Sequence, residues 1–173
     1  MKIFSGTSNV DFADRVCRHL NVQPSKVKIS TFKDGEKRVI IEESVRLQDC
    51  FVIQPTCRST NNSVNDSIVE LLIIIDALKR GSAKSVNVII PYFGYQRQDR
   101  KDYSRAPISA SVIARCLESQ NINRVIVYDL HAGQISGFFS NNCPVDNLYV
   151  EQYFINYINN CLLYTSPSPR DRQ

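Results

Sequence analysis

The stretch that decides the fold is VNVIIPYFGYQRQDRKDYSRAP, residues 86–107. Its first five residues are mostly β-branched and apolar, which predicts a strand buried on both faces. Pro91 ends the strand because proline has no N–H group to donate to a neighbouring strand. The polar loop that follows lies where ligands bind in open α/β sheets, outside the carboxyl end of a strand. Arginine side chains such as Arg97 suit phosphate oxygens, so the loop favours a phosphorylated ligand; a solvated charged loop is the alternative.

Apolar periodicity extends this pattern on both sides of the stretch. It predicts helices over residues 63–80 and 107–120, with Gly81 as the cap of the first, and a buried strand over residues 124–128. The predicted core-facing residues of the second helix are Ile108, Val112, Ile113 and Leu117. Alternation of strands and helices is typical of a parallel sheet with right-handed crossovers. We therefore expect an α/β domain with a mostly parallel sheet flanked by helices.

The first third of the chain predicts a short strand, a helix and a hairpin. The strand lies at residues 3–4, and the helix that follows has an apolar face made of Phe12, Ala13, Val16, Cys17 and Leu20. Two alternating segments, residues 27–32 and 37–41, flank an Asp-Gly pair that is typical of a β-hairpin turn. A further strand is expected over residues 50–54.

Composition and charge limit the classes of function. The chain has 173 residues, of which 43% are hydrophobic and 22% charged, as expected for one globular domain. Its net charge of +4 is spread along the sequence, and Asp99 and Asp102 interrupt the basic loop, so a small phosphate ligand is favoured over RNA. The first residues contain no apolar h-region, so we expect no secretory signal, and the longest apolar run, residues 68–78, is too short to span a bilayer. We expect a cytoplasmic protein that binds neither nucleic acid nor a membrane.

The chain has six cysteines, and none forms a C-x-x-C pair of the kind found in zinc or redox sites. Cys17, Cys50 and Cys116 fall within apolar helix or strand patterns. We therefore expect these three to be reduced residues of the core.

A nucleotide site in this chain has to be built from side chains at strand ends, because neither G-x-x-x-x-G-K-[ST] nor G-x-G-x-x-G follows a predicted strand. Asp129 and His131 follow the strand over residues 124–128. In extended backbone, residues two apart point to the same side, so this carboxylate and imidazole are expected to converge. They could hold Mg²⁺, which keeps several waters and shares phosphate oxygens, while Arg97 neutralises the phosphates. A hydrogen-bonded loop histidine is the alternative for His131.

Six short segments carry a further pattern. They are FSGTSN (residues 4–9), FKDGE (32–36), ESVR (43–46), RQDRKDYSRAPISA (97–110), YDLHAGQISGFF (128–139) and PVDNLY (144–149). Together they resemble the signatures of the ribose-phosphate pyrophosphokinase family, also called phosphoribosyl pyrophosphate synthetase. The segments occur in the family's order and with close to its spacing, between residues 2 and 158.

The resemblance implies a phosphoribosyltransferase-like (Rossmann-like) fold. It also implies an enzyme that transfers the diphosphoryl group of Mg-ATP to the C1 hydroxyl of ribose 5-phosphate, giving a product that feeds nucleotide biosynthesis. Mg²⁺ is the implied cofactor, ATP and ribose 5-phosphate are the implied substrates, and the implied assembly is a dimer-based homo-oligomer that can extend to a hexamer. A non-catalytic regulatory subunit that associates with such synthetases is the alternative; Arg97, Asp129 and His131 favour the enzyme.

The resemblance also assigns roles to individual residues. ATP binding is implied for Phe32, Asp34, Glu36, Arg97, Gln98, Asp99 and His131. The first three of these hold the adenine of an ATP bound mainly by a neighbouring subunit. The implied metal positions are Asp129, His131 and Asp146, and the implied positions for a regulatory phosphate or ADP are Ser44, Arg46 and Arg105. Phosphoryl transfer depends mostly on positioning and charge neutralisation, which agrees with this set of side chains.

The sequence departs from the family pattern in three places. Ser140 stands where members often carry an acidic residue, in a loop that is also longer than usual, which weakens the metal role implied for that loop. The chain stops near half the family's length. We therefore expect residues 1–160 to form the N-terminal domain, and the C-terminal phosphoribosyltransferase-like domain, with the catalytic Lys/Arg segment, to be absent. No catalytic residue is assigned, and the chain alone is expected to be inactive. Residues 161–173, with two Ser-Pro steps, are expected to be a non-native disordered tail.

Overall fold

The computed structural model describes residues 1–60 and 62–162. Its strands are β1 (Lys2–Ser5), β2 (Val27–Thr31), β3 (Lys37–Ile41), β4 (Asp49–Ile53), β5 (Ser85–Ile90), β6 (Arg124–Tyr128) and β7 (Val145–Leu148). Its α-helices are α1 (Val10–His19), α2 (Val64–Arg80), α3 (Ser109–Glu118) and α4 (Glu151–Leu162), and a 3₁₀ helix spans Gly133–Phe138. The predicted tail lies outside the described residues from residue 163 onward, and α4 continues past residue 160 to Leu162.

Five strands form one parallel sheet in the order β1-β4-β5-β6-β7, and β2 pairs with β3 as an antiparallel hairpin. The predicted sheet and hairpin are therefore confirmed. β5 and β6 are neighbours, with Ile90 opposite Val127 near their carboxyl ends. Because these strands are parallel, the β5 loop (residues 91–108) and the β6 loop (residues 129–144) leave the sheet at the same edge.

The two faces of the sheet are covered by different elements. Helices α2 and α3, the 3₁₀ helix and the hairpin pack on the face that carries Val52, Val88 and Val127, and these valines are almost completely buried. Helix α1 packs on the opposite face, where Ala13 and Cys17 join a smaller apolar cluster. In β5, Val86, Val88 and Ile90 on the first face are buried, whereas Asn87 and Ile89 on the second face are only half-buried, so the predicted burial on both faces holds in full for one face alone.

Helix α2 begins with a capping box. The Ser63 hydroxyl accepts the Asp66 N–H at 3.1 Å, and the Asp66 carboxylate accepts the Ser63 N–H at 2.8 Å. The buried apolar residues of this helix are Ile68, Leu71, Ile74, Ile75 and Leu78. These residues recur at helical spacing, which agrees with the apolar periodicity that predicted a helix over residues 63–80; Leu72, beside Leu71, is only half-buried.

Helix α2 ends at two residues with different backbone conformations, Gly81 and Ser82. Gly81 is the C-cap residue, as predicted, with φ −71°, and the left-handed conformation falls on the next residue, Ser82, at φ 62°. The Ala83 N–H donates to the Leu78 carbonyl at 3.1 Å, as in a Schellman motif. A Cβ on Gly81 would come within 2.6 Å of Val45 Cγ2. Glycine is therefore needed at this position for space rather than for a left-handed backbone.

Helix α3 differs from its prediction in its start and in its buried side. It begins at Ser109, and Ile108 is the N-cap residue before the first turn. Its buried residues are Ala110, Ala114 and Leu117, whereas Val112 is 41% exposed. Small side chains let a helix approach its neighbours closely, and the interior must be filled to high density. Packing of the alanines, rather than side-chain hydrophobicity alone, therefore set the orientation of this helix.

Two further predicted core positions are exposed. Cys17 and Cys50 are buried as predicted, but Cys116 is exposed, so its prediction as a core residue was wrong. Cys116 lies two residues beyond the buried Ala114, about 200° round the helix, and therefore on the outer side. Leu20, predicted on the apolar face of α1, follows the last helical residue and is 49% exposed.

Helix α4 presents its described side chains to solvent. Tyr153, Phe154 and Tyr157 are among the large apolar residues exposed on it. Of the helices in the described part of the chain, this one included, none combines the length and apolarity that crossing a membrane requires.

Candidate functional site

The β5 loop and the β6 loop contact each other at the carboxyl edge of the sheet. The His131 N–H donates to Gln96 Oε1 at 2.9 Å, and the Gln134 side-chain amide donates to Asp99 Oδ2 at 2.6 Å. Gln96 and Asp99 are 7% and 9% exposed, so both acceptors are largely shielded from water. The two strand ends that the sequence expected to meet are therefore joined by hydrogen bonds.

Arg97 projects from the β5 loop into solvent and has no ion-pair partner within residues 1–60 and 62–162. By contrast, Arg100 in the same loop pairs with Asp102, at 3.3 Å. Gln98 ties the loop to α3 because its backbone carbonyl accepts the Ala110 N–H at 3.1 Å. The site thus combines a braced backbone with one guanidinium that is available to an anion.

The turn after β6 does not have the extended backbone from which convergence of Asp129 and His131 was inferred. Asp129 has φ 42°, in the left-handed region, so the two-residue alternation does not apply and that premise was wrong. The turn is set by the neighbouring chain segment instead: the Asp129 N–H donates to the Leu148 carbonyl at 3.0 Å, and its carboxylate accepts the Val150 N–H at 3.4 Å. Asp129 and His131 are both exposed at this edge.

The third implied metal position, Asp146, makes an ion pair elsewhere. It lies in β7 opposite Ile126, before the carboxyl end of β6, and both of its oxygens accept from Arg124, at 2.6 and 2.8 Å. Within the described residues, no group of three or more His, Cys, Asp and Glu side chains could hold a metal ion. Asp129 and His131 remain as candidate ligands, and a set of two fits Mg²⁺, which binds through few carboxylates and keeps waters and phosphate oxygens.

The three implied adenine contacts lie in the hairpin turn between β2 and β3. The Phe32 N–H donates to the Glu36 carbonyl at 2.8 Å, the Glu36 N–H donates to Asp34 Oδ1 at 3.2 Å, and Gly35 takes φ 98°. Phe32 is 49% exposed, with the Arg38 guanidinium carbon 6.0 Å from its ring centroid. In the described part of the chain, no hydrogen bond joins this turn to the β5 or β6 loop.

The implied regulatory residues lie on two separate segments. Ser44 and Arg46 follow β3, and Arg105 lies in the β5 loop with φ 67°. All three are exposed, and no hydrogen bond between the two segments occurs among the described residues. Their roles stay predictions.

Comparison with known proteins identifies the family. Residues 1–120 match the family model described as the N-terminal domain of ribose phosphate pyrophosphokinase. The chain belongs to the ribose-phosphate pyrophosphokinase family. It is 52% identical over 157 residues to the ribose-phosphate pyrophosphokinase of Campylobacter jejuni, covering 91% of this chain and 49% of that protein. The corresponding values for the Helicobacter pylori protein are 50%, 91% and 48%.

A solved structure supports the same assignment for the fold. The crystal structure of phosphoribosylpyrophosphate synthetase from Mycobacterium smegmatis matches with a TM-score of 0.84 and 38% identity, over 92% of this chain and 51% of that one. The predicted phosphoribosyltransferase-like fold is therefore confirmed. The chain spans about half the length of the curated ribose-phosphate pyrophosphokinases it matches.

Three residues at or near this edge of the sheet had no predicted role. Gln96 and Gln134 join the two loops, and neither was assigned a role from the sequence. Glu70, which lies within the apolar run over residues 68–78, received no role either, yet its side chain is fully buried. A carboxylate beside Leu71, on the core-facing side of a helix, was the signal that could have found it.

Proposed function

We propose that this chain supplies the ATP-binding part of a ribose-phosphate diphosphokinase. In this reaction the diphosphoryl group of ATP passes to the C1 hydroxyl of ribose 5-phosphate, which loses its proton, and AMP leaves. The observation that carries the proposal is the pair of joined strand-end loops. They set Arg97, which is exposed and has no ion-pair partner among the described residues, beside the loop that bears Asp129 and His131.

The chemistry asked of these loops is positioning and charge neutralisation. Arg97 binds phosphate oxygens through its forked donors, and Gln98 adds neutral donors from the same segment. Asp99 acts on the loop rather than on ATP, because its carboxylate is held by Gln134. Asp129 and His131 would hold Mg²⁺, which when bound neutralises phosphate charge as a Lewis acid. The ion pair of Asp146 with Arg124 favours these two over the third implied position.

The hairpin turn provides the adenine contacts in this proposal. The exposed ring of Phe32 offers a stacking surface, and the carboxylates of Asp34 and Glu36 can accept hydrogen bonds from an adenine amino group. Because the turn has no hydrogen bond to the phosphate-binding loops in the described part of the chain, it fits an ATP bound by a second chain. A dimer-based homo-oligomer, which can extend to a hexamer, is the assembly that the family resemblance implies and is part of this proposal.

The chain as given is proposed to bind Mg-ATP but not to turn it over, since the site for ribose 5-phosphate is assigned to the other half of the family's length. Ser44, Arg46 and Arg105 are proposed to bind a regulatory phosphate or ADP. An assay for phosphoribosyl pyrophosphate and AMP should detect neither product. Formation of both by this chain would contradict the proposed inactivity.

Calorimetric titration with Mg-ATP tests the site. Arg97→Ala and His131→Ala should each weaken binding about tenfold or more, since each removes a charge-assisted contact. Arg115→Ala is the matched control, because Arg115 is an exposed arginine on α3 that bonds within its own helix. Unchanged affinity in both site variants would refute the assignment. Absence of Mg-ATP binding by the parent would favour a non-catalytic subunit, and salt-sensitive RNA binding that Mg-ATP does not displace would favour an RNA module.

A further inference from the structure

The buried carboxylate of Glu70 has no role in the proposed function. It lies on the core-facing side of α2, and its side chain is completely buried. It accepts the backbone N–H of Thr7 at 2.6 Å, the Thr7 hydroxyl at 2.7 Å and the Gln54 amide at 3.0 Å. The Asn62 amide adds a longer contact, at 3.5 Å. Glu70 is therefore held by three chain segments outside its own helix, those that contain Thr7, Gln54 and Asn62.

Lys37 supplies the countercharge. Its Nζ lies 3.3 Å from Glu70 Oε2 and donates to Asn62 Oδ1 at 2.6 Å, and its side chain is only 9% exposed. A buried ion is costly unless it is paired and hydrogen-bonded, so removal of either partner leaves an uncompensated charge. Every group that faces the Glu70 carboxylate is a donor. A glutamine at position 70 would point its amide N–H group at these donors, and a protonated glutamic acid would point its O–H group at them.

The ion pair sits where the hairpin meets the sheet. Lys37 is the first residue of β3, directly after the turn that carries Phe32. Thr7 and Gln54 follow the neighbouring strands β1 and β4, at the carboxyl edge of the sheet. A two-stranded hairpin is marginally stable by itself, so its direction depends on what anchors it to the rest of the fold. The pair of Glu70 with Lys37 is a polar anchor at the base of the turn.

We propose that Glu70 and Lys37 are positioning residues, which hold the hairpin in the orientation that brings its turn to the adenine of ATP. This inference rests on the proposed function. Loss of the anchor should therefore weaken recognition of the adenine base. Binding of the phosphates by the β5 and β6 loops should not depend on the anchor.

Two measurements on the whole chain test the proposal. Hydrogen exchange of peptides that cover residues 32–41 should be about tenfold faster in Glu70→Gln and Lys37→Met, because a hydrogen-bonded buried charge is lost. Affinity for Mg-ATP should fall about tenfold, and affinity for Mg-tripolyphosphate should stay within about twofold, since tripolyphosphate has no base. Asp76→Asn is the matched control, because Asp76 lies on the same helix in an exposed pair with Arg80.

The outcomes separate this proposal from the one on which it rests. Equal losses of ATP and tripolyphosphate affinity, or unchanged exchange of the hairpin, would overturn the positioning role. If Glu70→Gln does not fold, Lys37→Met, which leaves the neutral donors to Glu70 in place, decides the question. A parent chain that binds neither probe would contradict the proposed function, and the exchange rates alone would then decide whether the pair anchors the hairpin.

Discussion

Replacing Ser82 with glycine is expected to stabilise the protein. Its φ of 62° is a left-handed conformation that costs an L-residue about 1–2 kcal/mol. Glycine removes this cost but gains about 0.5–1 kcal/mol of freedom in the unfolded chain, which leaves a net gain of about 0.5–1 kcal/mol. The backbone bonds persist, since the Ser82 N–H donates to Lys79 and its carbonyl accepts from Leu47. Thermal unfolding followed by circular dichroism should show a Tm higher by about 1–4 °C.

Two further variants should change stability in the opposite direction to Ser82→Gly. Ser119→Gly makes the same change at the C-cap of α3, where φ is −60°, and should destabilise by about 0.5–1 kcal/mol. Gly81→Ala should destabilise by about 1–3 kcal/mol, because its Cβ would press on Val45 although its φ is ordinary. Destabilisation by Ser82→Gly together with tolerance of Gly81→Ala would refute the assignment of the left-handed position to Ser82.

Three other predictions follow from the same coordinates. Hydrogen bonds from the Ser63 hydroxyl and, to a smaller extent, the Ser63 N–H hold the pKa of Asp66 below its usual 3.8. Asp66→Asn should therefore lower the free energy of unfolding at neutral pH. In urea unfolding, the difference in stability between the variant and the parent should shrink as the pH falls below 3.8. Iodoacetamide at about pH 8 should alkylate the exposed Cys116 and spare Cys143, since burial raises the pKa of the Cys143 thiol to about 11; the reverse order by mass spectrometry would contradict the burial pattern. Gln134→Ala removes the hydrogen bond to Asp99 and should weaken Mg-ATP binding by less than about tenfold, with little change in Tm. An unchanged affinity would show that this hydrogen bond does not contribute to ATP binding.

Much of the fold followed from local pattern. The β-branched run that ends at Pro91, the capped helix after Ser63 and the Asp-Gly hairpin each depend on residues close in sequence, and each was predicted within a few residues of its observed bounds. Alternation of strand and helix then implied a parallel sheet whose strand ends meet. The contact between the β5 and β6 loops could be expected because it follows from strand order alone.

The site depended on contacts that no local pattern records. Asp129 takes a left-handed conformation because β7 pairs beside it, and Asp146 is engaged by an arginine from the neighbouring strand. Val112 is exposed, whereas Ala110 and Ala114 on the same helix are buried. Periodicity reports which side chains are apolar, but it does not report which of them the packed interior can accept.

The sequence by itself determined the strands and helices up to residue 128, that the sheet is parallel, and which edge carries Arg97, Asp129 and His131, because these depend on periodicity, proline and strand direction. It did not predict β7 or the 3₁₀ helix. Only the tertiary structure decided which charged side chains form ion pairs within the protein and which are exposed to solvent. Glu70 and Lys37 lie 33 positions apart and become a buried pair because the hairpin folds back onto α2, whereas Arg97 stays open to solvent. Pairing between distant residues is set by packing, and packing is a property of the whole fold.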